Sequence, residues 1–159
     1  TAIETIATNL TGPILLTTAL LPHLLRQSNA TIMTVSSGLG FVPLAMTPSY
    51  SATKAAIHSY TQSLRYQLRG TPIDVIELVP PYVQTELMGS RQAHDPAAMP
   101  LGQFISEVMD IVRTQPDVTE ILVKRVHPLR FAAGEGEEKY AAVFQEMNAR
   151  VSAARAKEF

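Results

Sequence analysis

Apolar side chains recur at helical spacing through the first 27 residues: Ile3, Ile6, Leu10, Ile14, Leu15, Ala19 and Leu20. The pattern predicts a helix over 3–27, ending near RQSNA and kinked at Gly12-Pro13, where proline removes a backbone donor. The run TIMTVSS (31–37) is short, β-branched and bounded by Asn29 and Gly38, which predicts a strand. A loop punctuated by Gly and Pro follows, GLGFVPLAMTP. Ser49 is the expected cap of a second long helix over about 50–69, closed by Gly70 and Pro72.

The next strand, IDVIELV (73–79), is apolar on both faces, as expected when helices cover both sides of a sheet. Pro80-Pro81 stops it. Residues 81–100 hold Gly and further Pro without a steady period and predict a long mobile loop. A helix over 102–115, a third strand EILVKRV (120–126) and a charged amphipathic helix over 136–157 complete the series. Strands and helices alternating at these lengths predict an α/β fold with a parallel sheet, in a single domain without internal repeats.

Composition narrows the function classes. Of 159 residues, 46% are hydrophobic and 17% charged, with a formal net charge of −1, which fits a globular chain with a real core. The scattered Lys and Arg give no nucleic-acid footprint and no polybasic membrane patch. No apolar run reaches the roughly 18 residues of a membrane span, and no signal peptide is recognisable. Absence of Cys removes disulfides, thiolate nucleophiles and Cys-ligated zinc, and is compatible with a reducing cytoplasm. The opening TAIETIATNLTG has no Met and already reads as helix, so the sequence is expected to be part of a longer chain.

Ligands of α/β sheets bind beyond the carboxyl ends of the strands. Three features converge there: Ser36-Ser37, the helix start carrying Tyr50 and Lys54, and the segment from Pro80 to Thr85. Tyr50 and Lys54 are one helical turn apart on one face. A phenol with a pKa of about 10 is a poor acid–base group at neutral pH, and a neighbouring ammonium lowers that value. A Ser hydroxyl beside the pair could hold the same substrate oxygen. This is equipment for interconverting a carbonyl and an alcohol, with the proton drawn from the protein and the hydride from a cofactor.

TVSSGLG, then YSATK with Tyr50 thirteen residues after Ser37, then VPPYVQTEL after a strand, resembles the catalytic half of the short-chain dehydrogenase/reductase family. The resemblance runs over about residues 1–90. Tracts such as SLRYQLRGTPIDVIELVPPYVQTEL and EILVKRV further resemble the branch named after bacterial D-alanine-transfer operons. It implies the C-terminal portion of a Rossmann-like doubly wound parallel sheet, with the front end bearing the Gly-rich turn missing. It also implies a catalytic set of Asn9, Ser37, Tyr50 and Lys54. Tyr50 would be the general acid/base and Ser37 would orient the substrate carbonyl. Lys54 would lower the tyrosine's pKa and hold the nicotinamide ribose, and Asn9 would anchor a water relaying protons to Lys54. Pro80, Val83 and Thr85 match positions at the nicotinamide carboxamide and nearby phosphate. The implied cofactor is NADP or NAD, with NADP favoured although the selecting residue is absent. The implied partner is a small carbonyl or alcohol substrate, in a cytoplasmic homodimer or homotetramer paired through the helices at about 3–27 and 50–69.

Other readings stand beside these. Alone, Asn9 is an ordinary polar helix residue, Ser36 and Ser37 a strand end, Val83 a loop residue covering the core, and Thr85 a cap of a following short helix. Tyr50 and Lys54 alone would be a solvated helix face. Pro80-Pro81 stands where the family usually has Pro-Gly, though the named branch tends to Pro-Pro. Without the Gly-rich turn, a catalytically inactive binding or dimerisation module is the alternative function. His23, His58, His94 and His127 show no metal-ligand spacing, and no metal role is assigned. No G-x-S-x-G elbow surrounds Ser37, which speaks against a serine hydrolase. The apolar stripes of the two long helices are expected to be core, with some residues left exposed in a monomer if those helices pair between subunits.

Overall fold

The computed structural model of the protein describes residues 1–156, without the side chain of Arg155. The chain opens with α1 (Ala2–Ile6), a π-helical turn (Ala7–Thr11) and α2 (Gly12–Leu24), running on as one helical stretch. Thr1 and Glu4 form a reciprocal capping box at its start. Pro13 has no N–H to offer the Asn9 carbonyl, and the Gly12 amide reaches back five residues to Ala7. The anomaly expected at Gly12-Pro13 thus takes the form of a π-turn, which places Asn9 within a widened helical turn.

Three parallel strands follow in the order β1-β2-β3: β1 (Ala30–Val35), β2 (Ile73–Val79) and β3 (Glu120–Leu122). Ala30 lies opposite Ile73, Val35 opposite Leu78, and Leu122 opposite Val79. Between β1 and β2 runs α3 (Pro48–Gln67). Between β2 and β3 lie a short α4 (Ser90–Ala93) and α5 (Leu101–Thr114). The chain finishes with α6 (His127–Phe131) and α7 (Glu137–Ala156).

Several expectations need correction. The third strand is three residues long, not seven, because β2 stops at Val79 before Pro80 and offers nothing to pair with beyond Leu122. Lys124–Val126 coils into a 3-10 turn instead. The N-cap of α3 is Thr47, followed by Pro48 in the first helical turn, so Ser49 lies inside the helix rather than capping it. Residues 81–100 are not structureless: Val83 bridges Met99, with Gln84 N–H on the Met99 carbonyl and Met99 N–H on the Tyr82 carbonyl, both at 2.8 Å. Position 157, expected to end the last helix, lies outside the described residues.

Burial is uneven. One core cluster joins Ile32, Ile73 and Val75 of the sheet to Leu64 and Leu68 at the end of α3, with Leu21 and Leu24 of α2 packed against it. Another joins Val79, Met99, Val123 and Val126 to Phe104 and Val108 of α5. A third packs Val42, Ala132 and Met147 beneath α7. The first helical stretch departs from the expected core stripe. None of its residues is buried, and Ile3, Leu15 and Leu16 are 80%, 63% and 61% exposed. On β1, Met33 and Val35 are each 46% exposed, and on β2 Asp74 is exposed while Ile76 and Leu78 are half-buried. Coverage of the second sheet face is therefore partial among the described residues.

Candidate active site

The turn after β1 and the first turns of α3 meet because Gly40 lets them touch. A Cβ on Gly40 would lie 2.9 Å from the carbonyl carbon and oxygen of Lys54, a distance backbone atoms do not permit. Ser37 is extended, and its Oγ accepts the Leu39 N–H at 3.2 Å. That bond occupies a lone pair and leaves the Ser37 O–H to donate. The Gly38 N–H donates to the Pro80 carbonyl at 3.0 Å, which ties this turn to the end of β2.

Tyr50 and Lys54 are both half-buried on α3. Burial raises the Tyr50 pKa above its ordinary value, opposed by a hydrogen bond from Ser37. Burial also lowers that of Lys54. The Lys54 ammonium donates to the Val35 carbonyl at 2.8 Å and lies 5.6 Å from the centroid of the Tyr50 ring. The expected lowering of the tyrosine by the lysine is therefore not the dominant effect here: Lys54 is turned to the strand end, and burial outweighs it. The arrangement holds a neutral phenol, hydrogen-bonded to a serine, beside an ammonium.

Asn9 reaches this group from the π-turn. Its Nδ2 donates to Thr53 Oγ1 at 3.3 Å, and Thr53 Oγ1 in turn donates to the Tyr50 carbonyl at 2.8 Å. Ser37, Tyr50, Lys54 and Asn9 are thus joined by contacts around one turn of α3. Thr85 stands in the segment after β2, where its Oγ1 accepts from Leu87 N–H at 3.4 Å rather than capping α4, whose N-cap is Gly89. The Val83 side chain is buried and its carbonyl accepts from Gln92 Nε2 at 2.8 Å.

The fold also assembles a polar cluster that spacing could not reveal. Glu77 of β2 is completely buried, and its carboxylate receives His58 Nδ1 at 2.8 Å. Its register partner Glu120 is held by Arg130 through two hydrogen bonds of 2.6 and 3.0 Å. Burial pushes the Glu120 carboxyl up, but Arg130, with the charges of His58 and Arg65, holds it below its ordinary value. Ligand atoms of His58, Glu77 and Glu120 lie within 4.8 Å of one another. Arg130 already occupies both oxygens of Glu120, so the trio reads as a structural ion-pair network. His58 lies one turn beyond Lys54, so the network anchors the same helix that carries the candidate pair.

The residues of this site fall within a stretch, 2–96, matched by the family described as short chain dehydrogenase. The chain belongs to the short-chain dehydrogenase family. Among curated relatives it is 36% identical over 148 residues to the uncharacterized oxidoreductase DltE of Bacillus subtilis (strain 168), covering 91% of this chain and 57% of that protein. Among solved structures it resembles a short chain dehydrogenase from Burkholderia cenocepacia J2315 in complex with NADP. The TM-score is 0.71 at 23% identity, over 94% of this chain and 60% of that one. A short-chain dehydrogenase from Sphingobium yanoikuyae in complex with NADPH gives a TM-score of 0.66 at 23% identity, over 82% and 51% of the two chains. At these identities the structural likeness establishes the fold, a partial Rossmann-like sheet. The chain spans between 51% and 60% of the lengths of these three relatives.

Proposed function

We propose that the protein is an NAD(P)-dependent oxidoreductase interconverting a carbonyl and a secondary alcohol, with Tyr50 as its general acid/base. The observation that carries this is the meeting of Tyr50, Ser37 and Lys54 at the carboxyl end of β1. A phenol carries its proton at neutral pH and burial raises its pKa further, so Tyr50 holds the proton that a carbonyl oxygen takes up as it gains negative charge. The Ser37 O–H, which donates to the Tyr50 phenol when no substrate is present, turns to the same substrate oxygen. Lys54 adds positive charge at the strand end, and Asn9 fixes the turn between Tyr50 and Lys54 through Thr53.

Donors carried by these elements suit the nicotinamide end of a dinucleotide: the Lys54 ammonium, the Val83 amide and the Thr85 hydroxyl, with Pro80 holding the loop to the Ser37 turn. Bound there, the nicotinamide cofactor supplies or accepts the hydride. The NADP and NADPH of the two structural relatives support a nicotinamide dinucleotide as the cofactor, and NADP ahead of NAD. A small carbonyl or alcohol is the substrate class. No helix among the described residues is long and apolar enough to cross a membrane, and the lack of Cys supports a cytoplasmic location. The exposed apolar residues of α1 and α2 support assembly into a homodimer or homotetramer through that helical face.

The test is consumption of NADPH or NADH across a panel of aldehydes and ketones by the protein expressed from its complete coding sequence. Turnover is expected with at least one carbonyl and is expected to vanish in Tyr50→Phe. Full turnover by that variant would contradict the role of Tyr50.

A further inference from the structure

Gln92 is only 7% exposed, although it belongs to a four-residue helix in an otherwise exposed segment. Both of its N–H donors and its carbonyl oxygen are engaged. One Nε2 hydrogen goes to the Val83 carbonyl at 2.8 Å, the other to Thr85 Oγ1 at 3.0 Å, and Oε1 accepts the Met88 N–H at 3.0 Å. Because Met88 can only donate and Val83 can only accept, these bonds fix which end of the amide is which.

The consequence falls on the two residues it grips. Thr85 Oγ1 accepts from Gln92 and also from the Leu87 amide, so both its lone pairs are occupied and its hydroxyl is left as a donor. The Val83 carbonyl is engaged by the same side chain. The loop after β2 is thereby set to present the Thr85 hydroxyl as a donor. Asp95 holds the base of the same loop, accepting from Tyr82 Oη at 3.0 Å and from the Ala97 amide at 2.8 Å, while its carbonyl accepts from Gln84 Nε2 at 3.1 Å.

The geometry points to Gln92 as a positioning residue that polarises this loop, so that Val83 and Thr85 bind an acceptor group of the cofactor, a carboxamide oxygen or a phosphate. It rests on the cofactor role proposed above for those two residues. Gln92 itself is turned inward and touches neither substrate nor cofactor.

The test is a double-mutant cycle on the protein expressed from its complete coding sequence, reading NADPH and NADH dissociation constants by fluorescence, with melting of the cofactor-free variants in parallel. Gln92→Met keeps the side chain's bulk and removes its hydrogen bonds. It is expected to weaken binding about fivefold to tenfold, as is Thr85→Val, and the double variant is expected to stay within about twofold of the weaker single one. Gln92→Glu serves if the Met variant does not fold. Its carboxylate repels the Val83 carbonyl, so binding should be weak at neutral pH and recover toward acid pH, where a protonated carboxyl donates again. Melting of the cofactor-free variant over the same pH range separates the roles: a merely structural glutamine would show the recovery in melting temperature too, a positioning one in affinity alone. A Gln92→Met variant with unchanged affinity, an additive double variant, or a Gln92→Glu variant indifferent to pH would overturn the inference while leaving the oxidoreductase assignment standing. Unchanged affinity in Thr85→Val would instead remove the proposed cofactor contact, and the role of Gln92 with it.

Discussion

The two long helical stretches, α1–α2 and α3, meet over the same part of the sheet but are held in different ways. Leu21 and Leu24 of α2 pack against the same apolar cluster as Leu64 and Leu68 of α3. From there α3 is fastened by polar bonds at intervals of three or four residues. Lys54 donates to the Val35 carbonyl, His58 to Glu77, Thr61 meets Thr34 at 2.7 Å, and Arg65 donates to the carbonyls of Val75 and Thr119 at 2.8 Å each. The α1–α2 stretch reaches its neighbours through the Asn9–Thr53 bond and half-buried leucines, and turns Leu15 and Leu16 outward. Directional bonds fix the rotation and translation of a helix, whereas apolar contact is tolerant of both. A helix that must deliver a phenol and an ammonium to within bonding distance of fixed atoms needs the first kind of attachment. One that offers a face to another chain needs only the second.

The comparison breaks most readily at the buried end of the polar ladder. His58→Leu leaves the Glu77 carboxylate without its partner inside the protein and is expected to cost about 3 kcal/mol of stability, read by chemical denaturation. Leu16→Ser, on the exposed face of α2, is expected to change the stability of an isolated subunit by less than about 0.5 kcal/mol. The same variant should instead shift assembly toward smaller species in light scattering. Equal losses from the two variants would show that the helices are held alike. Gly40→Ala is the next largest. A methyl at that position meets the Lys54 backbone and forces the turn away from α3, with an expected cost of about 2 kcal/mol and displacement of Ser37 from Tyr50.

A smaller effect sharpens the account of the phenol. Burial raises the folded-state pKa of Tyr50, so the stability gained by keeping it neutral is present below the unfolded value and is lost as pH rises through the folded one. Ser37 works against burial, since its hydrogen bond favours the phenolate. Ser37→Ala removes that bond and should move the Tyr50 titration further into the alkaline range, seen in a spectrophotometric titration against the Tyr50→Phe variant as blank. A shift downward would mean that Ser37 holds the neutral phenol rather than the phenolate.

What could be read from the sequence divides along physical lines. Tyr50 and Lys54 are neighbours by helical geometry alone, and Ser37 follows two residues after a strand with a clear β-branched pattern, so both were legible. Glu77 stood unmarked in a strand read as apolar on both faces. Its meaning depends on His58, nineteen positions earlier, and on Glu120, forty-three later, which only parallel register brings alongside. The length of β3 was overestimated because a strand ends where its partner ends, and Pro80 limits β2 rather than β3. Gln92 gave no signal, since its role comes from folding back over Val83 and Thr85. The apolar stripe of the first helix was visible, but periodicity shows that a face is apolar, not what covers it.

The most direct measurement is turnover by Tyr50→Phe, per molecule of folded protein, on whichever carbonyl the unmodified protein reduces. The account predicts a loss of at least about a thousandfold with melting temperature and NADPH binding little changed, because only the donated proton has been removed. Turnover within about tenfold of the unmodified protein, by a variant that folds and binds cofactor normally, would contradict it.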